Sequence, residues 1–413
     1  MLTPLLNTAL LGTTKQPYRP DAATPAALQT AWAALADSSA ERRTYRYAAL
    51  AFACAYGGQT PAQSADGWQL IPPAPAAEET LPPEAVAILG GWFKQKRQHL
   101  LHYAFYGQPE AIGPEDLPSL REVARIAHDQ GAKALLQIHH GGWQSIPALN
   151  PNGEIFAPSE HPETGAKALT EAQIRSIIDG YGRAAELALE AGFDGVEIHG
   201  ANNYLIQQFF SAQSNRRTDA WGGSLQNRLR FPLAVVDAVT AVRDRHAKPE
   251  FIIGYRFSPE EPGENGITMA DTFALIDALV QKPLQYLHVS LWDFYKKARR
   301  GANTVRTRIE QLHQHIGGKL PLIGVGNLYT ASQAADALAT GWAEFIALGK
   351  TLLINPHWAE LAEQGRDDDI QTELDPERAE SYRLPARMLG LTLQGTQAWL
   401  PPVKGMERKI LDI

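Results

Sequence analysis

The chain has 413 residues, 44% of them hydrophobic and 20% charged, a globular composition with room for one large domain plus a smaller one, or for two ordinary domains. A formal net charge of -7 argues against a nucleic-acid partner, which would favour a basic face. The single cysteine, Cys54, excludes an internal disulfide and suits a reducing cytosol.

The opening MLTPLLNTALLGTTK lacks the basic region of a signal peptide, and its apolar run is too short and broken to span a membrane. A cytoplasmic protein with no membrane partner is therefore expected. Residues 24–37 (TPAALQTAWAALAD) read as a helix with Thr24 at the N-cap and Pro25 at its first position. Residues 39–56 read as a second helix, capped by Ser39 and stopped by Gly57 and Gly58. The Pro/Ala-rich stretch near 59–83 reads as a linker, and EAVAILGGWFKQKRQHLLHYAF as a third helix. No strand-like run stands out, so residues 1–103 are expected to form an all-helical segment without a chemistry-bearing motif.

From about residue 105 the pattern changes to strand–helix alternation, which sets a second domain at 104–413. Short apolar, β-rich runs occur at 132–140, 194–200, 251–258, 285–292, 321–327 and 345–350. Helical segments separate most of them; the one before the second run carries a capping box at Thr170 and Gln173 and a Gly192 stop. Repeated units of this kind specify a parallel sheet covered by helices, the α/β class. No GxGxxG follows a strand, which weakens a doubly wound dinucleotide-binding sheet. Polar residues instead close the strands: Gln137, His140, His199, Arg256, His288, Asn327 and Lys350. That is the end at which a (β/α)8 TIM-type barrel builds its site, although only six strands are countable after residue 105.

Within EIHGANNYLIQQFFS, His199 ends a strand and a short turn brings Asn202 beside it. Two N–H donors aimed at one oxygen polarise a carbonyl and stabilise the charge that builds there. Tyr204, as a phenol with a free pKa near 10, is a proton donor rather than a base at neutral pH. The set suits reduction of a carbon–carbon double bond conjugated to a carbonyl; the alternative is that His199 and Asn202 only satisfy loop backbone. The last two strands close with GVGN (324–327) and ALGK (347–350), whose glycine amides and Lys350 fit a phosphate; tight turns alone are the competing explanation. Gln137 and Arg256 could face a ring system across the same mouth, and hydride chemistry requires a cofactor because no side chain carries hydride. His139 and His140 beside His199 lack the spacing of a metal site, so no metal is expected, and YKKARRG (295–301) reads as a solvated loop.

These stretches are recognisable. LLQIHHGG, AGFDGVEIHGANNYLIQQFFS, NRRTDAWGGSLQNRLRF, GYRFSP, LIGVGN and FIALGKTLLINP resemble the Old Yellow Enzyme family over about residues 105–405. The resemblance implies a (β/α)8 barrel that binds FMN, takes electrons from NADH or NADPH, and acts as an ene-reductase on an activated, enone-type alkene. It implies His199 and Asn202 as the carbonyl-holding pair, Tyr204 as the proton donor, and Gln137 and Arg256 as contacts of the flavin ring. Gly326, Asn327, Gly349 and Lys350 would hold the FMN phosphate, with lysine where many members have arginine and Trp143 where others carry an arginine. A homo-oligomer stays open.

The resemblance starts near Ala104, after the point where the family's first two strands should end, so the barrel reads as lacking them. A parallel sheet with two strands missing has unpaired edges. This gives the competing reading: an incomplete, catalytically defective barrel fused to a helical interaction module.

Overall fold

The computed structural model describes residues 60–64, 67–71, 113–129, 131–145, 147, 153–384, 386–395 and 400–406. The chain divides into two compact units, residues 1–110 with 384–391 and residues 111–383 with 392–413. The helices expected at 24–37, 39–56 and 84–105, and the stretch where two opening barrel strands would fall, lie outside the described residues.

One expectation for the first unit is corrected. Strands β1 (Thr60–Ser64) and β2 (Gly67–Ile71) pair antiparallel from Thr60↔Ile71 to Ser64↔Gly67, inside the stretch read as linker and in a region read as all-helical. Pro61 in β1 is tolerated because a two-stranded ribbon leaves one side of each strand unpaired.

The second unit is built on a six-stranded, all-parallel sheet. Its strands are β3 (Leu135–Ile138), β6 (Gly195–Gly200), β7 (Ile252–Phe257), β8 (Tyr286–Val289), β9 (Leu322–Gly324) and β10 (Phe345–Ile346), neighbours in that order. All six runs read from the sequence are present. A short parallel pair, β4 (Phe156–Ala157) with β5 (Lys167–Ala168), sits between β3 and the next helix. The unit's helices are α1 (Leu117–His128), α2 (Glu171–Ala191), α3 (Leu205–Phe210), α4 (Leu225–Arg228), α5 (Arg230–Arg245), α6 (Met269–Leu279), α7 (Arg308–Ile316), α8 (Ala331–Ala339), α9 (Lys350–Ile354) and α10 (Trp358–Glu363); α11 (Ala386–Leu393) belongs for the most part to the first unit.

Local chemistry sets the helix ends. The Thr170 hydroxyl accepts from Gln173 N–H at 3.3 Å and the Gln173 side chain accepts from Thr170 N–H at 2.9 Å, the box read from the sequence. Gly192 then stops α2 with φ +89°, a conformation a side chain would oppose. Thr268 with Asp271 and Thr330 with Gln333 repeat the box on α6 and α8.

Alternation along the strands sorts side chains to the two faces of the sheet. Val196, Ile198, Ile253, Tyr255, Phe257, Leu287, Val289 and Leu322 lie on one face, each 1% exposed or less, and form the core with the covering helices. On the other face the parallel register aligns Gln137, Glu197, Gly254 and Tyr286 in one row and His199, Arg256 and His288 in the next. The apolar face makes the fold, and the polar face makes the site. The segment after β8 is anchored by charge: Glu260 accepts from the backbone N–H groups of Arg299 and Arg300 at 3.0 Å and pairs with Arg308 at 2.7 Å, both side chains at most 2% exposed. The loop read as solvated is therefore tied at its base to a buried carboxylate.

Candidate active site

At the end of β6 the backbone turns through two left-handed residues, Asn202 (φ 57°) and Asn203 (φ 59°). Asparagine enters this region more readily than other side chains because its short amide can bond locally. The Gln144 amide holds the turn by donating to both asparagine carbonyls at 2.8 Å, and Gln208 donates to Asn203 O at 2.6 Å. Asn202 N–H donates to Ser258 Oγ at 2.9 Å. The turn delivers Tyr204 to the N-cap of α3.

Three rings gather there. Tyr204 stacks on His139 with centroids 4.8 Å apart and planes 21° apart, and its centroid lies 5.2 Å from that of His199. The Asn202 Nδ2 and His199 Nε2 atoms approach to 3.5 Å. Which end of the Asn202 amide faces His199 is set from the far side: the Ser290 hydroxyl donates to Asn202 Oδ1 at 2.8 Å and accepts from Arg256 Nη2 at 3.1 Å. The chain Arg256–Ser290–Asn202 thus turns the amide nitrogen towards the histidine.

Electrostatics fixes the charge states. His199 is 2% exposed, and burial first, then the Arg256 charge and the nearby His139 and His288 rings, hold its pKa well below the usual 6.5; it is neutral at physiological pH. Burial likewise lowers His139 and His140 to about 4, and the His140 Nδ1 accepts from Gly142 N–H at 3.0 Å, which requires that nitrogen unprotonated. Burial lowers Arg256 from its ordinary range, opposed by the Glu197 carboxylate. Burial raises the pKa of Glu197, yet the bonds and charge it receives from His288, Gln137 and Arg256 outweigh that cost and leave it lowered, hence ionised.

Of the residues singled out in the sequence, His199, Asn202 and Tyr204 lie together, with Arg256 one strand away in register with His199 and Gln137 exposed on the inner face of β3. Gly326, Asn327, Gly349 and Lys350 sit beyond the ends of the paired strands β9 and β10. Gly326 has φ +142°, and a Cβ there would stand 2.5 Å from Phe294 N. Asn327 is left-handed at φ 53°. Gly349 caps α9, with open space where a Cβ would point, and the Lys350 ammonium lies 5.2 Å over the Trp292 ring. Sequence reasoning did not select Glu197, Ser290 or Tyr286, and weighed His139 only as a metal ligand. Glu197 had a visible signal, a lone charge inside the apolar run DGVEIHG.

FMN asks for polar groups along its ring edge and a cradle for its phosphate. The inner face supplies Gln137, buried nitrogens without hydrogen-bond partners on His199 (Nδ1) and Arg256 (Nε), and a cradle of glycines beside a lysine. These residues fit the cofactor. Among the described residues no three His, Cys, Asp or Glu side chains gather to hold a metal, and no helix is long and apolar enough to cross a membrane.

A parallel α/β sheet with a polar site at the carboxyl ends of its strands is the layout of α/β enzymes, barrels among them. The chain belongs to the NADH:flavin oxidoreductase / NADH oxidase family, whose model matches residues 102–369; residues 4–111 match a separate family of unknown function (DUF5691). It is similar to the probable NADH-dependent flavin oxidoreductase YqiG of Bacillus subtilis (strain 168), 45% identical over 301 residues, which is 72% of this chain and 80% of that one. It is 38% identical over 271 residues to NADH:acrylate oxidoreductase of Vibrio harveyi, covering 62% of this chain but 27% of that longer protein. Among solved structures it resembles morphinone reductase in complex with tetrahydroNAD, with 31% identity and a TM-score of 0.53, over 66% of this chain and 75% of that one. The chain is thus an FMN-dependent NAD(P)H:flavin oxidoreductase of the Old Yellow Enzyme family, and the reading of a catalytically defective barrel is not favoured.

Proposed function

We infer that the chain reduces the carbon–carbon double bond of an α,β-unsaturated carbonyl compound at the expense of NADH or NADPH. FMN, when bound, supplies the two-electron carrier that no side chain provides. In this reading Gln137 and Arg256 bind its ring, and Gly326, Asn327, Gly349 and Lys350 bind its phosphate. His199 and Asn202 hold the substrate carbonyl oxygen, with His199 Nε2–H and Asn202 Nδ2–H as donors. A neutral imidazole suits this role: it donates a hydrogen bond to developing negative charge without surrendering a proton to it. Negative charge that builds on the carbonyl oxygen as the double bond is reduced would rest between these two donors. Tyr204 gives its phenolic proton to the neighbouring carbon and recovers one from solvent.

The observation that carries the reading is the convergence of the His199 and Asn202 nitrogens at 3.5 Å with the Tyr204 ring beside them. The test is Tyr204→Phe assayed with cyclohexenone and NADH. Loss of a positioned acid should lower alkene turnover by about 10²- to 10⁴-fold, while anaerobic bleaching of the yellow colour by NADH continues at the parent rate. Unchanged enone turnover overturns the proton-donor role. A colourless protein that takes up no added FMN overturns the whole reading.

A further inference from the structure

The inner face of the sheet holds one carboxylate that the reaction above does not use. Glu197 is 8% exposed and points into the row beneath His199. It accepts three hydrogen bonds: from Gln137 Nε2 at 2.6 Å, from Tyr286 OH at 2.9 Å and from His288 Nδ1 at 2.8 Å. The donors come from β3 and β8, the neighbours of β6 and β7. Gly254 on β7 lies level with Glu197 and Tyr286, and a Cβ at Gly254 would fall inside the Tyr286 ring. The missing side chain is what lets the tyrosine hydroxyl cross β7 to reach Glu197.

An ionised carboxylate accepts and never donates. It therefore dictates the form of each partner. Gln137 must offer its NH2 group downward, which turns its carbonyl oxygen to the mouth. His288 must carry a hydrogen on Nδ1, which leaves its buried Nε2, without a hydrogen-bond partner, facing away from Glu197. We propose that Glu197 is a positioning residue for the flavin: by fixing the Gln137 amide it presents a defined acceptor to the N–H edge of the isoalloxazine ring. This rests on the assignment of Gln137 to the ring. Glutamine in place of Glu197 keeps the shape but offers one oxygen instead of two; Tyr286 and His288 both donate on one side and draw that oxygen to them, so an NH2 group turns on Gln137 and either the Gln137 amide flips or two amides meet donor to donor.

The experiment is a cycle of Glu197→Gln, Gln137→Ala and the double variant, with the FMN dissociation constant read by fluorescence quenching on apo-protein reconstituted with FMN. The expected result is FMN bound at least tenfold more weakly by E197Q, a similar loss in Q137A, and little further loss in the double variant, because both changes remove one interaction. E197Q binding FMN within twofold of the parent while Q137A weakens it overturns the positioning role alone. Q137A binding FMN as tightly as the parent overturns the assignment of Gln137 to the ring, and the proposal falls with it. Glu197→Asp provides a second route should E197Q not fold: it keeps the charge but draws the acceptor back from the Gln137 amide. At least threefold weaker FMN binding supports the proposal, and an unchanged constant overturns it.

Discussion

Ser290 controls which end of Asn202 meets the substrate, and its removal offers a quantitative test of the oxygen-holding pair. In Ser290→Ala the Asn202 Oδ1 loses a 2.8 Å donor and Arg256 Nη2 loses a 3.1 Å acceptor. A neutral hydrogen bond of this type contributes about 1 kcal/mol net, and one made to a charged group about 1.5–3 kcal/mol. The first bond distinguishes the oxygen from the nitrogen of the Asn202 amide. Without it the flipped amide aims its carbonyl at the substrate oxygen, where it repels the charge it should stabilise. A loss of about 1–3 kcal/mol of transition-state stabilisation corresponds to roughly 5- to 150-fold in kcat/KM. The assay is steady-state reduction of cyclohexenone with NADH, normalised to bound FMN measured by absorbance. Ser290→Thr, which keeps the hydroxyl, should restore most of the activity. A kcat/KM for S290A within twofold of the parent, at full FMN content, refutes the chain from Arg256 to Asn202.

Stability should fall as the solution is acidified from pH 7 to 5.5. Burial lowers the pKa of His139, His140 and His199 on folding, so below pH about 6.5 the unfolded chain binds protons that the folded chain refuses; each full proton difference costs about 1.4 kcal/mol per pH unit, and equal urea midpoints at the two pH values would contradict the neutral, buried imidazoles. Replacing Arg308 by Met leaves Glu260 buried without its charged partner and should cost about 3–5 kcal/mol; a loss below about 1 kcal/mol in urea titrations removes Glu260 as the anchor of the segment after β8. Gly254→Ala should cost about 1–3 kcal/mol by overpacking and displace Tyr286 from Glu197, read as weaker FMN binding; full FMN affinity would show that the ring moves without breaking its contact.

Much of the second unit is legible in the sequence because its signals are local. The six strands are short apolar runs, and the capping box at Thr170 and the Gly192 stop are visible within three or four residues of each helix end. His199, Asn202 and Tyr204 fall within six residues, so their convergence follows from one strand and one turn. The supporting groups escape because their partners are distant in the chain. Gln137, Tyr286 and His288 meet Glu197 across 60, 89 and 91 residues, and Ser290 meets Asn202 across 88; only the pairing of successive strands brings them together. The β1–β2 hairpin escaped for another reason. Proline and alanine dominate its surroundings, and compositional reading favours a linker there over a ribbon that tolerates Pro61.

The left-handed turn at Asn202 and Asn203 carries a consequence for remodelling the enzyme. Gln144 and Gln208 bind the turn, and the Gln208 side chain also accepts from Trp143 N–H at 3.3 Å and donates to Gly141 O at 3.2 Å, while Leu205 N–H donates to His140 O at 3.0 Å. The loops after β3 and β6 are thereby stitched into one module. Substrate scope in a barrel varies with the loops at the carboxyl ends of its strands. Here a graft of the loop after β3 that omits Gln144 would also unseat Asn202, so the two loops must be exchanged together or not at all.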